Sequence, residues 1–322
     1  MSLDADLLTD RRRLKRRLGL WRVLGIAAIA VAVVLGVAIA RGGDAGFGFR
    51  DHIARVTIDG IITDDRRQQE LLDRIARADR AKALILRIDS PGGTTAGAEA
   101  LYEAIREVAA EKPVVAVMGT VAASGGYIAA LAADHIVARG NTITGSIGVV
   151  FQWAEFSELI ERLGVSVGEV KSGPLKAEPS PFSKASPEAV RVTEQMVRDS
   201  YEWFVGLVAD RRPLADAEAR AVSDGRVYTG RQALAAKLVD AIGGEEAAVE
   251  WLATQGVDGD LKVVDWVPEQ TSDWSVVELA VTRVLDAVGL DGVVQFVTMG
   301  QKALRAERLS LDGLVSVWQP DR

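Results

Sequence analysis

Short apolar runs alternate with helix-length amphipathic segments from residue 53 to about residue 138, a rhythm that few architectures accommodate. Ile53 to Ile58, Ala83 to Ile88, Val114 to Met118 and Ile136 to Ala138 have the length and composition of strands. Gln68 to Ala78, Leu101 to Ala110 and Ile128 to Ala133, between them, have helical spacing. Strands separated by helices of this length predict βαβ units around a mostly parallel sheet, so the fold class is α/β. With 322 residues, 48% of them hydrophobic, the chain can bury a substantial core.

Four further stretches complete the predicted organisation. Residues 1–22 hold seven Lys/Arg against Asp4, Asp6 and Asp10, and 23–40 run without a charge. That pairing predicts a basic cytoplasmic segment, one transmembrane helix and a chain that continues outside the cell membrane, with the lipid bilayer as a partner. A Gly-rich linker covers 41–52, the main domain 53–256, and an extension 257–322 that offers subunit or membrane-facing contacts. Setting aside the basic segment makes a net charge of −7 more negative still, which excludes a nucleic-acid surface. The absence of cysteine excludes disulfides, thiol catalysis and Cys-ligated zinc.

Two Gly-rich turns are expected at the ends of neighbouring strands. One is Asp89-Ser90-Pro91-Gly92-Gly93; the other, Ala122-Ala123-Ser124-Gly125-Gly126-Tyr127, presents Ser124 at a strand-to-helix junction with its hydroxyl exposed. In a parallel sheet both face one crevice beyond the carboxyl ends of the strands. Amides of Gly92 or Gly93, and of Gly125, are then candidate donors to an oxyanion, each worth about 3 kcal/mol in a transition state. A serine nucleophile needs a base. The chain has only His52 and His135, the first ahead of the first strand and the second beyond the helix that Ser124 opens. Lysine remains, because an ammonium shielded from water can lose its proton near neutral pH, at a cost of roughly 4 kcal/mol for a shift from 10.4 to about 7.5. Lys171 and Lys176, in the charge-poor stretch Lys171-Ser-Gly-Pro-Leu-Lys176, both qualify. The helix opened by Ser186-Pro187, with its stripe Val190, Thr193, Val197, Tyr201, Phe204 and Val208, is expected to serve packing alone.

These motifs, with Thr144-Gly-Ser-Ile-Gly-Val149, Pro181-Phe182 and Gly225-Arg-Val-Tyr-Thr-Gly230, resemble signal peptide peptidase A, a family of membrane-anchored serine proteases that degrade remnant signal peptides. The resemblance spans about residues 53–245. It implies the fold of the Clp proteolytic subunit and of crotonases, Ser124 as nucleophile, Lys176 as general base, Ser146 as the residue that orients the lysine, and Gly93 in the oxyanion motif. It further implies extended apolar peptides as substrates, no metal or organic cofactor, and, because the chain carries one copy of the motif set, a homo-oligomer whose active sites are shared between neighbouring subunits. A related membrane protease acting on a membrane-protein partner, a crotonase-type acyl-CoA enzyme and a membrane-anchored scaffold are the competing readings.

Overall fold

Nearly continuous apolar runs such as Ala83 to Ile88 belong to strands covered on both faces, and the architecture bears this out. A computed structural model describes residues 50–268 and the backbone of Val315–Val317. In chain order the strands are β1 (His52–Ile62), β2 (Ala81–Thr94), β3 (Val114–Ala123), β4 (His135–Ala138), β5 (Ile143–Gly145), β6 (Val227–Thr229), β7 (Ala241–Ile242), β8 (Val263–Asp265) and β9 (Val315–Val317). The helices are α1 (Arg66–Arg77), α2 (Thr95–Glu111), α3 (Gly125–Leu131), α4 (Ser157–Arg162), α5 (Pro187–Arg211), α6 (Asp216–Ala221), α7 (Gly230–Ala235) and α8 (Glu245–Thr254).

The sheet runs β6-β5-β3-β2-β1-β8, with β4 also on β3, β7 on β4 and β9 on β2. β5–β6 and β2–β9 are antiparallel and the other pairs parallel, so the sheet is mixed. Alternation within β2 divides the core. Leu84, Leu86 and Ile88 join Leu71, Ile75, Ile105 and Phe204 on one face, while Ala83 and Ile85 join Val115, Val137 and Leu252 of α8 on the other. Local chemistry fixes the helix starts. Asp65 accepts the Arg67 amide at α1, Thr94 the Gly97 amide at α2, and Ser186 the Ala189 amide at α5.

Two predicted features are altered. The Asp89–Gly93 motif, expected as a turn after a strand ending at Ile88, is itself strand, because β1 continues beside it to Ile61↔Gly92 and Ile62↔Gly93. The stripe on α5 is also divided. Phe204 and Val208 are buried in the core, whereas Val190, Thr193, Val197 and Tyr201 line a cavity.

The transmembrane helix expected ahead of the domain is corrected. No helix among the described residues is long and apolar enough to cross a membrane. Residues 1–22 and the run 23–40 lie outside the described residues, as do the amphipathic stretches after residue 268. Length alone does not make a span: α5 has 25 residues but carries Glu188, Arg191, Glu194, Arg198 and Glu202, a charge at nearly every turn, which hydrocarbon excludes. The fold class is therefore the α/β domain with a mixed sheet. The single-pass topology, the bilayer as partner and the extracytoplasmic location at a cell membrane fall with the helix that carried them.

Candidate active site

Register places the motifs. β2 and β3 are paired up to Ser90↔Ala122, and β3 and β5 at Ala123↔Gly145. Ser124 and Ser146 therefore leave adjacent strand ends, about 5 Å apart in the hydrogen-bonding direction, with Gly92 and Gly93 on the third strand end of the row. Short β5, whose pairing makes this arrangement, lies in Thr142–Gly145, a stretch with too few apolar residues to read as a strand.

Ser124 has φ 54° and ψ −117°, a conformation that costs a non-glycine residue about 1–3 kcal/mol. The surroundings hold it there. Its amide donates to the Gly145 carbonyl at 2.8 Å, and its own carbonyl accepts from the Tyr127 and Ile128 amides at 2.9 and 3.0 Å. Its side chain makes no capping bond to α3, so the hydroxyl is not spent on holding the helix. The expectation of an exposed hydroxyl is corrected: Ser124 is only 1% exposed. Gly126 cannot carry a side chain, since a Cβ would stand 2.6 Å from the Ser90 carbonyl oxygen, and this lets α3 lie against β2. Ser146 also has positive φ, 49°, after Gly145 at 80°; its amide donates to the Arg226 carbonyl at 2.8 Å.

The two oxyanion glycines differ. The Gly92 amide donates to Ser90 Oγ at 3.1 Å, and Ser90 Oγ in turn donates to the Gly60 carbonyl at 2.6 Å. Gly92, with φ 113°, is thus committed to the strand bend, which leaves Gly93 and Gly125 as the amides to weigh. Gly125 opens α3, and the first amides of a helix have no intrahelical acceptor. Positioning residues that sequence reasoning passed over are Ser90, Asp89, whose carboxylate accepts the Val121 amide at 3.0 Å where the β2–β3 register shifts, and Thr144, whose hydroxyl donates to the Ala122 carbonyl at 2.7 Å. All three polar residues lie inside or beside the quoted motifs, which was the available signal.

Bases can be sorted by geometry. His135 pairs with Val115 at the opposite end of β3, roughly 30 Å from Ser124 at about 3.3 Å per residue. It stacks on Trp251 at 4.8 Å, with Nδ1 3.8 Å from Asp240. His52 opens β1 and accepts the Trp266 indole N–H on Nε2 at 3.1 Å. Tyr127, next but two to the serine, donates its hydroxyl to the Leu238 carbonyl at 2.8 Å, and complete burial pushes its pKa up. Lys171 sits between Glu169 at 2.6 Å and Glu178 at 2.7 Å, and those carboxylates raise its pKa. Lys176 stands on the exposed turn Gly173–Glu178, with no salt-bridge partner among the described residues. Among the described residues no hydrogen bond or ion pair ties its side chain to the strand ends.

The environment of His135 gives a stability test. Burial lowers its pKa, so the unfolded chain takes up the proton first as pH falls. The histidine's contribution is therefore complete above the unfolded pKa of about 6.5 and is lost below it. Urea midpoints measured from pH 7.5 to 5.5 should fall more steeply for the wild type than for His135→Gln; parallel slopes would contradict the assignment.

A cavity of about 850 Å³ begins where Ser146 ends, lined by Val149, Phe151, Trp153, Val190, Val197 and Tyr201 among others. It lies between the chain that leaves β5 and α5. Among the described residues no cluster of His, Asp and Glu could hold a metal ion.

Comparison with known proteins gives the family. The profile of Peptidase family S49 matches residues 106–258, and that of Clp protease matches residues 56–141. A protein of Synechocystis designated a protease is 38% identical over 223 residues, which cover 68% of this chain and 80% of the relative. One of Methanocaldococcus jannaschii, also designated a protease, is 32% identical over 216 residues, 66% of this chain and 70% of its own length. A protein of Enterococcus faecium designated signal peptide peptidase SppA is 33% identical over 262 residues, 75% of each chain.

Proposed function

The chain belongs to peptidase family S49 and is a serine peptidase, and from that premise we propose that Ser124 is its nucleophile, Lys176 its general base and Ser146 the residue that orients the lysine. On this reading the enzyme is of the signal peptide peptidase A type in its short, single-copy form, and it cleaves extended peptides. The observation that carries the proposal is the register Ser90↔Ala122 and Ala123↔Gly145, which gathers a serine held at positive φ, a second serine and a Gly-rich edge on three adjacent strand ends.

In the proposed cycle the lysine amine takes the Ser124 proton as Oγ attacks a peptide carbonyl. Negative charge developing on the carbonyl oxygen is met by the amides of Gly93 and Gly125. The lysine ammonium then protonates the leaving amine, and an acyl-serine remains. Water, deprotonated by the same lysine, attacks the ester, and Ser124 leaves as the alkoxide that recovers the proton. The cavity lined by Phe151, Trp153 and Tyr201 supports a preference for apolar side chains on one side of the cut.

Lys176 is exposed, as are its neighbours Val165, Val167, Val170, Leu175 and Phe182. A base that works without water needs cover, and so many bare apolar side chains on one segment need it too. Both observations support completion of the site by a second copy of the chain, which brings its own Lys176 segment to Ser124 or encloses this one. Choice of Lys176 over Lys171 rests on the two carboxylates that hold Lys171 protonated.

A fluorophosphonate probe tests the assignment. It should label Ser124, identified by peptide mapping. Lys176→Ala should slow labelling by at least about 100-fold, the ordinary worth of a general base. Lys171→Ala should label within a few-fold of wild type. Labelling at another serine, or equal slowing by both variants, would sink the assignment.

A further inference from the structure

One helix, α5, has two surroundings. Its carboxyl-terminal half puts Phe204 and Val208 into the core, but the same stripe, continued toward the amino terminus through Tyr201, Val197, Thr193 and Val190, borders the cavity of about 850 Å³. Protein interiors leave few voids larger than a water molecule, so a helix stripe of this length beside open space is a place for a ligand. The volume stands near the top of the roughly 300–1,000 Å³ range of ligand pockets, which is room for several residues of a peptide and not for one side chain alone.

Contacts along this trough give its direction. At one end Tyr201 donates its hydroxyl to the Ser223 carbonyl at 2.8 Å, Arg220 holds Glu202 at 2.8 Å, and a Cβ on Gly148 would stand 3.5 Å from Gly225. That end adjoins Ser146, two residues before Gly148. At the other end the Phe156 amide donates to the Pro181 carbonyl at 2.7 Å, shortly ahead of the start of α5 at Pro187. Residues 147–156 therefore run beside α5 in the opposite direction, from the strand ends to the helix's amino terminus. Between Tyr201 and Val190 the helix rises about 16 Å, which an extended peptide covers in about five residues. The chemistry changes along that length. The near end is polar, with Glu202 and Asp224 neutralised by Arg220 and Arg226. The far end is apolar, where Phe151 and Trp153, ring centroids 6.2 Å apart, share the cavity with Val190 and Val197.

We propose that the trough is a remote subsite for a large apolar side chain of the substrate, about five to eight residues from the scissile bond on one side, so that short peptides are poor substrates. The inference rests on the reading of Ser124 as nucleophile beside Ser146. Substrate is the occupant because the trough begins one residue beyond Ser146 and continues the row of strand ends that gathers the site. Contacts so far from the reacting atoms are the same in the ground and transition states, so they lower KM and leave kcat alone. Burial of one Leu or Phe side chain makes that difference about tenfold or more.

The test uses the full chain and a short peptide with about four residues on each side of the cut, compared with the same peptide lengthened by about six residues on one side or the other. A single Leu is walked through a Ser/Gly extension, and the cut is located by mass spectrometry. Lengthening on one side only should lower KM about tenfold with kcat unchanged, and only when Leu stands in the far half of the extension. Trp153→Ala and Val197→Asp should each reduce that advantage to less than about threefold. Trp153 is 39% exposed and outside the buried core, so its variant decides the question even where Val197→Asp fails to fold. An advantage that survives in Trp153→Ala overturns the inference, and a changed particle mass in that variant would then give the cavity to a second copy of the chain. No advantage from Leu on either side, while the fluorophosphonate probe still labels Ser124, also overturns it and leaves the nucleophile assignment standing. If Ser124 fails to label in the wild type, the nucleophile assignment is what has failed, and the inference falls with it.

Discussion

Ser124→Ala is expected to reduce peptide hydrolysis by about 10⁴-fold or more while the protein stays folded, because the substitution removes the only atom able to form the acyl-enzyme and deletes little packing. Ser124→Gly should be equally inactive, yet the two variants should differ in stability. Ser124 is held at φ 54°, and alanine keeps the Cβ that makes this conformation costly. Glycine relieves strain worth about 1–3 kcal/mol and gives back about 0.5–1 kcal/mol as added freedom of the unfolded chain. The net gain of glycine over alanine is then about 1 kcal/mol, visible as a higher urea midpoint. An inactive pair with that ordering separates the chemical role of the residue from its structural cost. An active Ser124→Ala variant would remove the nucleophile assignment outright, and equal midpoints would deny that the junction is strained.

The strain also explains how much of the site was legible. The βαβ rhythm from residue 53 to residue 138 is written in apolar runs that had to be strands, because both of their faces are buried, and β1 to β4 contain those runs, although β1, β2 and β3 continue past them to Ile62, Thr94 and Ala123. Ser124 stands out in the sequence for the same physical reason that it is strained in the fold. A strand-to-helix turn this tight needs small residues around it, and Gly126 is small because the Ser90 carbonyl lies where its Cβ would be. What could not be read was made by pairing between distant segments. Three-residue β5 and β6 have almost no local signal, yet they pair from Ile143↔Thr229 to Gly145↔Val227, and the pairing of β5 with β3 at Ala123↔Gly145 sets Ser146 beside Ser124. The composition of Asp89–Gly93 predicts a turn, because proline and two glycines usually make one. Here β1 runs alongside and keeps it extended, and Ser90 takes up the Gly92 amide.

The choice proposed between the two lysines was only half legible. Spacing offered Lys171 and Lys176 equally, and the carboxylates that separate them, Glu169 and Glu178, lie within seven residues of Lys171 in the sequence. Their convergence on one ammonium depends on how the loop folds back, which local pattern does not specify. The exposed apolar residues from Val165 to Phe182 are likewise unremarkable in composition. They gain meaning only when the fold leaves them without cover.

Gly93→Ala should cost more stability than any other single substitution at the strand ends. A Cβ at this position would fall 1.7 Å from the Ile62 carbonyl oxygen and 2.5 Å from its carbon, both backbone atoms of β1. No rotamer change relieves that contact. The two central strands must part at Ile62↔Gly93, and the hydrogen bonds of that end of the ladder go with them. The expected loss exceeds about 4 kcal/mol, the range reserved for substitutions that break a buried arrangement. Hydrolysis should vanish even in the fraction that folds, since the proposed oxyanion amide moves with the strand. Gly168→Ala and Gly173→Ala provide the comparison, because nothing lies within 4 Å of a Cβ at either position; they should stay within about 0.5 kcal/mol of wild type. Urea titration of the three variants decides the matter. A Gly93→Ala protein as stable as the controls would mean that β1 does not press against the Gly93 backbone. The close approach would then not be what demands glycine, and the thinness of the strand would have to be explained by the ligand edge alone.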